Sequence, residues 1–367
     1  MNLESIFYKV INDQKKSLSL LPIKIGLKTL SGVYYLFIQI RFLLYRLKIF
    51  KEKRLDADVI SVGNITLGGT GKTSLVLKLA NLFKKEGKKI AILSRGYKGN
   101  LKGKMALVSD GEQIFLKPNQ CGDEAFLLAK NLPAGIPVII GKDRYFSGRY
   151  ALDKFKVDTL ILDDGFQHLK LFRNLDIVLI NSSNPFGNNH LFPRGILREP
   201  IKNLRRGDVL ILTKFDKETK EDPFQNIVKA WGKDQLICKS IHRPVSFIDL
   251  RNKTKHGLAL IKDKEVRAFS SLGDPLTFEK MLNKLGAKKV VSWRFPDHYF
   301  YKQKDIEKII TNFKETKGEV VITTEKDALK LEEMWPKEDI KLYYLKIILE
   351  LISGQDEFIK ILNNERK

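Results

Sequence analysis

The sequence predicts an α/β protein with a mostly parallel sheet and helices on both faces. Two observations carry this prediction. An apolar strand at Val59–Val62 runs into a glycine-rich loop and then an amphipathic helix. From there to residue 216, short β-branched or aliphatic runs alternate with helical runs, the pattern of a parallel sheet. Because parallel strands end at one edge of a sheet, the polar residues that follow them should gather there.

The predicted strands fall into two series separated by a connection. The first series is Val59–Val62, Lys89–Leu93, Val138–Ile140, Thr159–Leu162, Ile177–Ile180 and Val209–Leu212. Extended pieces at Pro244–Leu250 and Gly257–Ile261 predict a hairpin-like connection. The second series is Val266–Phe269, Lys289–Ser292 and Val320–Thr323, with helices near Phe278–Leu285 and Asp305–Phe313. We expect this series to form a second, smaller α/β unit that faces the first across a cleft.

The loop after the first strand has the context of a P-loop. Consecutive backbone N–H groups and a helix N-terminus there would bind phosphate. Lys72 would reach the β- and γ-phosphates, and the Thr73 hydroxyl would ligate Mg²⁺. The usual spacing places glycine at position 66, where this chain has Thr66; an ordinary glycine-rich turn is the alternative. The predicted nucleotide-binding residues are Thr66, Gly68, Gly69, Thr70, Gly71, Lys72, Thr73 and Ser74.

Composition limits the classes of partner. The 367 residues, 43% of them hydrophobic, are enough for two domains with cores. A net charge of +23 suits an anionic partner, or else reflects a lysine-rich solvated surface. The positive charge is spread along the chain without a stacking platform or groove-reading motif, which argues against nucleic acid. The two cysteines provide neither a disulfide framework nor metal-ligand spacing.

The stretch from Leu18 to Phe50 is apolar and aromatic, with interspersed cations. Glu4 and Asp13 precede it and no small-residue cleavage site follows, so it does not read as a cleavable signal. Between Lys28 and Arg41 lie 12 uncharged residues, about 18 Å of helix, against a bilayer core of about 30 Å. We expect a helix that crosses or lies in an anionic leaflet. A buried core helix is the alternative.

Several strand ends and loops carry residues suited to phosphoryl transfer. Asp163 and Asp164 end an apolar strand, where P-loop enzymes hold Mg²⁺. Asp123 opens a helix, so it is either an N-cap or a carboxylate that accepts a proton from an attacking hydroxyl. His168 is either a phosphate or hydroxyl contact or a turn residue. The loop Phe192–Pro200 supplies Arg194, Arg198 and Glu199, which suit charge stabilisation and the metal's surroundings, or a solvated loop.

Three further motifs have weaker signals. Thr213-Lys214-Phe215-Asp216 is similar to the [NT]-K-x-D element with which many GTPases read guanine. It keeps open a membrane-associated GTPase, or another P-loop NTPase, as the alternative function. His298 lies between aromatic residues, where a lone histidine is usually structural. At Thr323–Asp327, capping by Thr324 explains much of the pattern.

The motifs together resemble those of the tetraacyldisaccharide 4′-kinases of lipid A biosynthesis. The elements that carry the likeness occur in the family's order and cover nearly the whole chain: G-N-I-T-L-G-G-T-G-K-T (63–73), S-R-G-Y (94–97), G-D-E (122–124), D-D-G-F-Q-H (163–168), F-P-R-G-I-L-R-E-P (192–200), F-P-D-H-Y (295–299) and T-T-E-K-D-A (323–328). Loops of this family also tend to lack the glycine at 66. Ala125, where proline is expected after G-D-E, is a small departure that concerns helix entry and not the chemistry.

The resemblance implies an ATP- and Mg²⁺-dependent transfer of the γ-phosphoryl group to the 4′-hydroxyl of a lipid disaccharide 1-phosphate. It also implies an N-terminal membrane helix on the cytoplasmic face of the inner membrane, followed by two α/β lobes; we expect a monomer. The expected divisions are an N-terminal membrane-associated segment (1–55), a P-loop kinase core (56–240), a hairpin-like linker (241–265) and a C-terminal α/β lobe (266–367).

The resemblance also assigns roles residue by residue. Lys72 and Thr73 would hold phosphate and metal. Asp123 would deprotonate the sugar hydroxyl, with His298 from the other lobe tuning or orienting it. The residues expected around Mg²⁺ are Thr73, Asp163, Asp164 and Glu199. Those expected near the saccharide and its phosphate are Asn64, Arg95, Tyr97, Arg144, Gln167, His168, Arg194 and Arg198.

Overall fold

The computed structural model describes residues 20–101, 103–215, 235–316, 318–336 and 340–363. Their strands are β1 (Asp58–Gly63), β2 (Ile90–Ser94), β3 (Met105–Ser109), β4 (Val138–Gly141), β5 (Thr159–Asp163), β6 (Leu175–Asn181), β7 (Val209–Thr213), β8 (Leu236–Asp249), β9 (Lys255–His256), β10 (Glu265–Ser270), β11 (Lys289–Arg294), β12 (Val320–Thr324) and β13 (Leu342–Ser353). They form one 13-stranded sheet, ordered β11-β10-β12-β13-β8-β7-β6-β1-β5-β2-β4-β3, with β9 paired to β8. Most neighbours run parallel, which confirms the predicted mixed α/β fold.

The described helices are α1 (Leu21–Arg46), α2 (Lys72–Lys85), α3 (Pro118–Cys121), α4 (Asp123–Asn131), α5 (Arg144–Phe155), α6 (Pro275–Lys284), α7 (Gln303–Glu315), α8 (Glu325–Leu331) and α9 (Gln355–Leu362), with 3₁₀ turns at Ile201–Arg206 and Leu258–Ile261. Helices cover both faces of the sheet. Ile60 on β1 packs in one core with Leu75 of α2, whereas Val59 packs in a second core with Ala151 of α5. Burial on both faces explains why this strand is apolar without alternation.

The two predicted series of strands belong to a single sheet. The long strands β8 and β13 pair antiparallel, from Tyr343 opposite Asp249 to Ser353 opposite Lys239, and carry the sheet from one series to the other. The sequence analysis did not predict β3 or β13. The loop after β11 and helix α8 nevertheless contact α4 of the first series, so residues of the two series meet at one place.

The hairpin-like connection is partly as predicted. Pro244 lies in β8, and β9 folds back on β8 with Phe247 opposite His256. The predicted extended piece Gly257–Ile261 is wrong, because Leu258–Ile261 forms a 3₁₀ turn. With three residues per turn, Leu258 and Ile261 face the same side, and both pack in the core beneath β10.

Helix α1 lies on the surface of the molecule. Of its 26 residues only Ser31 and Ile38 are buried, and Leu36 and Phe37 are 58% and 67% exposed. None of the helices in the described ranges combines the length and apolarity needed to cross a bilayer. The helix instead contacts the loops beside the carboxyl ends of β5 and β6. Its Tyr34 hydroxyl donates to the Arg198 carbonyl (2.9 Å), and its Arg41 guanidinium donates to the Gln167 carbonyl (2.8 Å).

Candidate active site

The phosphate loop connects β1 to α2. Gly71 is the N-cap of α2 with a left-handed backbone (φ 90°), and Lys72 is the first helical residue. No acidic side chain lies in the first turn, so the helix itself supplies no carboxylate that would compete with phosphate for the N–H groups there. A side chain at Gly71 would meet the His242 ring, with Nε2 only 2.8 Å from the added Cβ. Only glycine fits this tight approach between the loop and β8.

Thr66, which replaces the usual glycine, anchors the loop from the side. It is buried and forms an isolated antiparallel bridge with Leu197. The neighbouring Leu67 N–H donates to the Ile196 carbonyl (2.7 Å). Asn64 also lies inside the loop, where its Nδ2 donates to the Thr70 hydroxyl (3.1 Å). The loop is therefore braced against the Phe192–Pro200 segment.

Two adjacent carboxylates at the end of β5 have opposite electrostatic settings. Asp163 is buried; burial first, then neighbouring Asp164, raises its pKa to about 7. Burial also favours the neutral form of Asp164, but Lys72 and Arg198 outweigh it and lower its pKa to about 2. Lys72 Nζ lies 3.5 Å from Asp164, and Arg198 donates to both of its carboxylate oxygens (2.9 Å each). The pair therefore divides into a permanent anion and a carboxylate that titrates near neutrality.

Oxygen donors near this point fit a divalent cation. Asp163 Oδ2 accepts from the Ser94 hydroxyl (3.2 Å), while Oδ1 is buried with no hydrogen-bond partner. A buried carboxylate oxygen without a partner is the type of ligand that Mg²⁺ takes. Within the described ranges, no group of three or more His, Cys, Asp or Glu side chains is arranged to hold a metal.

Glu199, the other residue predicted near the metal, accepts hydrogen bonds from two nearby side chains. It is buried, and its Oε2 accepts from Arg206 (2.5 Å) and from Asn203 Nδ2 (2.8 Å). Arg206 also lies over the rings of Phe42 and Phe166. Glu199 therefore braces the turn that follows the Phe192–Pro200 loop.

Asp123 opens α4 but does not cap it. The N-cap is Gly122, at which an added Cβ would lie 2.3 Å from the Tyr97 carbonyl oxygen. The capping interpretation of Asp123 is therefore wrong. Its buried Oδ2 lies 3.2 Å from His298 Nδ1 and 3.4 Å from Lys330 Nζ, whereas its Oδ1 has no hydrogen-bond partner. Burial raises the pKa of Asp123, but His298, Lys330 and Lys326 outweigh burial and lower it.

His298 comes from the second series of strands. It has a left-handed backbone (φ 62°) and its N–H donates to the Ser271 carbonyl (3.4 Å). Its ring also makes an edge contact with Tyr97 (5.7 Å between centroids). The predicted pairing of Asp123 with His298 thus appears as a direct contact, in which a strained loop aims the imidazole at the carboxylate.

Of the residues expected near the saccharide, Arg144 lies close enough to the Asp163–Asp164 pair to interact with it electrostatically. Arg144 is buried; burial lowers its pKa to about 10 against the opposing effect of Asp164 and Asp163. Burial and then Arg144 lower the pKa of His168 to about 4, so this histidine is neutral. Gln167 Nε2 donates to the Asn64 carbonyl (2.8 Å), while Arg95 and Tyr97 are exposed after β2.

Arg194 and Arg198 lie on a loop that α1 supports. Arg198 also contacts Gln167 Oε1 (3.3 Å). The Ser31 hydroxyl accepts from the Arg194 N–H (3.0 Å) and donates to the Leu191 carbonyl (2.8 Å). Helix α1, which was predicted from its apolar character, therefore also holds the Phe192–Pro200 loop in place. We call this loop the arginine loop.

In the element that suggested a GTPase, Lys214 forms an ion pair with a carboxylate distant in the chain. Lys214 has a left-handed backbone (φ 54°), and its ammonium lies 3.4 Å from Asp274 at the start of α6. Asp216, which would read the guanine, lies outside the described residues.

Sequence reasoning missed Lys326 and Lys330, which both approach Asp123 from α8. The available signal was their spacing of four residues, which places two cations on one face of the helix that Thr324 begins. The contacts of Ser31 and Tyr34 with the arginine loop had no comparable signal, because they join segments about 160 residues apart.

Comparison with known proteins identifies the family. The family model described as tetraacyldisaccharide-1-P 4′-kinase matches residues 23–367. Among curated relatives, a tetraacyldisaccharide 4′-kinase of Syntrophus aciditrophicus is 40% identical over 321 residues, covering 85% of this chain and 86% of the relative. That of Halothermothrix orenii is 34% identical over 377 residues, covering 98% and 97%.

A solved structure is similar over almost the same length. The crystal structure of LpxK from Aquifex aeolicus in complex with ATP superposes with a TM-score of 0.72 at 35% identity, covering 94% of this chain and 98% of that one. The family match, the relatives and the fold all indicate the same family. This chain belongs to the tetraacyldisaccharide-1-P 4′-kinase family.

Proposed function

We propose that this protein transfers the γ-phosphoryl group of ATP to the 4′-hydroxyl of a tetraacyl disaccharide 1-phosphate, which gives lipid IVA in lipopolysaccharide biosynthesis. The observation that carries the proposal is the placing of Asp123. It keeps one carboxylate oxygen free of hydrogen bonds, and the same chain carries Lys72 at the start of the helix that follows the glycine-rich loop. A phosphate-binding loop together with a buried, ionised carboxylate is what phosphoryl transfer to an alcohol requires.

On the nucleotide side, the loop residues 66–71 and the N-terminus of α2 bind the phosphates of ATP. Lys72 neutralises charge on the β- and γ-phosphates, and Asp164 holds its ammonium in place at 3.5 Å. Arg198 shares this carboxylate, so it is positioned next to the transferred group. Electrostatic stabilisation and positioning are the main contributions that proteins make to this reaction.

Asp163, through its partnerless oxygen, and Thr73 are the residues that would hold Mg²⁺. When bound, it neutralises charge on the phosphate oxygens. Glu199, tied to Arg206, shapes the surroundings of this site through the loop that it braces.

On the acceptor side, Asp123 Oδ1 takes the proton of the 4′-hydroxyl as the sugar oxygen bonds to the γ-phosphorus. The bond to the β,γ-bridging oxygen breaks, and ADP leaves. Oδ2 stays bound to His298, which keeps the carboxylate oriented. The saccharide and its 1-phosphate are surrounded by polar and aromatic side chains. These are Arg144, His168, Gln167, Arg95, Tyr97, Arg194 and Asn64.

We also propose that α1 attaches the protein to the cytoplasmic face of the inner membrane. Its exposed apolar side chains, including Leu36 and Phe37, suit the acyl region of a leaflet. Its cations and the net charge of +23 suit anionic headgroups. This places the acceptor's acyl chains beside the arginine loop, which α1 contacts through Ser31 and Tyr34.

The test is incubation with labelled ATP, Mg²⁺ and the lipid disaccharide 1-phosphate in detergent, followed by separation of the lipids. We expect a doubly phosphorylated lipid, no transfer with Asp123→Ala, and unchanged ATP affinity in that variant. Strong selectivity for GTP without any phosphorylated acceptor would instead support a GTPase. A lack of Mg²⁺-dependent ATP binding would overturn the proposal.

A further inference from the structure

The residues of the motif T-T-E-K-D-A-L-K (323–330) do more than cap a helix. Thr324 caps α8, since its hydroxyl accepts from the Asp327 N–H (3.1 Å). Beyond the cap, the helix directs two lysine side chains at the Asp123–His298 pair. Lys326 Nζ lies 3.2 Å from His298 Nε2 and 3.9 Å from Asp123 Oδ2, and Lys330 Nζ lies 3.4 Å from the same oxygen.

We propose that Lys326 and Lys330 are positioning residues that hold the His298 ring as the neutral tautomer protonated at Nδ1 and fix Asp123 through one oxygen. The inference rests on the proposed function, since it assigns these residues to the proton-accepting centre of the kinase. Neither lysine contacts the reacting atoms in this assignment.

The donor and acceptor rules determine the tautomer. An ionised Asp123 can only accept, so the 3.2 Å contact with His298 Nδ1 needs a proton on that nitrogen. An ammonium can only donate, so the 3.2 Å contact of Lys326 with Nε2 needs a bare nitrogen there. A ring protonated at both nitrogens would donate from Nε2 to Glu124, 3.4 Å away, and would repel Lys326.

The opposite tautomer would weaken the centre. With its proton on Nε2, the ring would turn the lone pair of Nδ1 toward the carboxylate and lose their hydrogen bond. In the proposed arrangement Asp123 Oδ2 faces three donors, His298, Lys330 and Lys326, while Oδ1 faces none. This asymmetry leaves a single oxygen to take the proton of the incoming hydroxyl.

The lysines are themselves held firmly. Lys330 donates to the Ser271 hydroxyl (2.8 Å) and the Tyr299 carbonyl (2.9 Å), and pairs with fully buried Asp327 (2.9 Å). Lys326 pairs with Glu124 at 3.3 Å. These contacts come from both series of strands. The contacts of the two lysines with Asp123 and His298 therefore form only when α8 and α4 lie together.

The other titratable groups that face the cluster support this charge state. Glu124 and Asp297 outweigh burial and raise the pKa of Lys326, so it stays an ammonium. Burial raises the pKa of Cys121 to about 12 and raises that of Tyr301, so both stay neutral. Asp297 Oδ1 lies 3.9 Å from both His298 Nε2 and Lys326 Nζ. The cations nearest Asp123 are therefore balanced by two carboxylates on the far side of the ring.

The test combines NMR with kinetics on the full chain in detergent. The protein has five histidines, so [¹⁵N]histidine labelling gives few signals, and that of His298 is assigned by its loss in His298→Gln. We expect Nδ1 protonated and Nε2 bare in the unsubstituted protein. Lys326→Met should shift the proton to Nε2 or charge the ring, and should lower kcat about tenfold with KM for both substrates within about twofold. Lys326→Arg, which can still donate, should restore the tautomer and most of kcat.

Lys346→Met is the matched control. Lys346 pairs with Glu325 at the start of the same helix (2.5 Å) but contacts neither Asp123 nor His298, so tautomer and kcat should not change. A bare Nδ1 in the unsubstituted protein, or an unchanged tautomer and kcat in a folded Lys326→Met, would overturn the inference. An unsubstituted protein that shows the expected tautomer but phosphorylates no lipid would contradict the proposed function alone.

Discussion

The two ends of the site are built in different ways. The end proposed to bind phosphate uses residues that directly follow β1 and β5, two paired neighbours in the sheet, and its Lys72–Asp164 contact is formed within the first series of strands. The end proposed to accept the proton gathers Asp123 from α4, His298 from the loop after β11 and two lysines from α8. The first end is a local product of strand order. The second exists only if the whole sheet is assembled.

This difference predicts which functions tolerate substitutions in each part of the molecule. Binding of nucleotide should survive damage to the distant series of strands, whereas proton transfer should not. The strands β8 and β13 connect the two ends, and His242 on β8 lies directly against Gly71 of the phosphate loop. Substitutions at each end, and at the connections between them, should therefore affect nucleotide binding and turnover differently.

The largest effect is expected at the phosphate-binding end. Lys72→Ala removes the cation that we propose faces the transferred group, and it releases Asp164 from its 3.5 Å partner. Turnover should fall by about a thousandfold or more, and ATP affinity should fall with it, as measured by calorimetry. Lys85→Ala, an exposed position at the end of the same helix, is the control and should retain activity. Full ATP affinity in a folded Lys72→Ala would remove this lysine from the nucleotide site.

At the other end, His298→Ala should separate binding from turnover. Turnover should fall by about 10- to 100-fold, while ATP affinity stays unchanged. His298 is one of the groups that lower the pKa of Asp123, so its loss raises that pKa and moves the acidic limb of the rate profile to higher pH. A pH series of kcat measures the shift. His256→Ala, on β9, serves as the control. A loss of ATP affinity as large as the loss of turnover would contradict the separation of the two ends.

A smaller effect is expected where α1 meets the arginine loop. Tyr34→Phe removes the hydrogen bond to the Arg198 carbonyl (2.9 Å), an interaction of about 1 kcal/mol. Phosphorylation of the lipid should slow by about two- to fivefold, with ATP affinity unchanged. Tyr35→Phe, whose ring still faces Lys202, is the matched control. Equal rates for the two variants would mean that α1 does not position the loop.

The smallest effect concerns stability at the connecting strands. Burial, and then Lys214, lowers the pKa of His242 to about 4, below the ordinary value of 6.5. The unfolded chain therefore binds a proton first, and the stability that neutral His242 preserves is lost as pH falls from about 6.5 to 4. His242→Gln should remove on the order of 1 kcal/mol of this loss.

Denaturant unfolding of both proteins at pH 7.5 and pH 5 gives the measurement. The free energy of unfolding should drop less for His242→Gln than for the unsubstituted protein between these two values. An identical drop would place His242 in contact with water.

Much of the phosphate-binding end could be predicted from sequence, because its signals are local. A glycine-rich turn between a strand and a helix, and carboxylates at a strand end, are visible within a few residues. The separate roles of the individual carboxylates at that end could not be predicted from the sequence. Glu199 is tied to Arg206 and Asp163 keeps a partnerless oxygen, differences that depend on contacts across loops.

The alternating α/β pattern, the phosphate loop and the apolar character of α1 could all be predicted from the sequence, since periodicity and turn residues are properties of neighbouring positions. The tertiary structure alone decided that one sheet carries both series of strands, and that α8 brings two lysines to the Asp123–His298 pair. Asp123 and Lys330 are about 200 residues apart in the chain, and local sequence patterns do not extend over such a distance. The antiparallel pairing of β8 with β13 joins the two series of strands in one sheet.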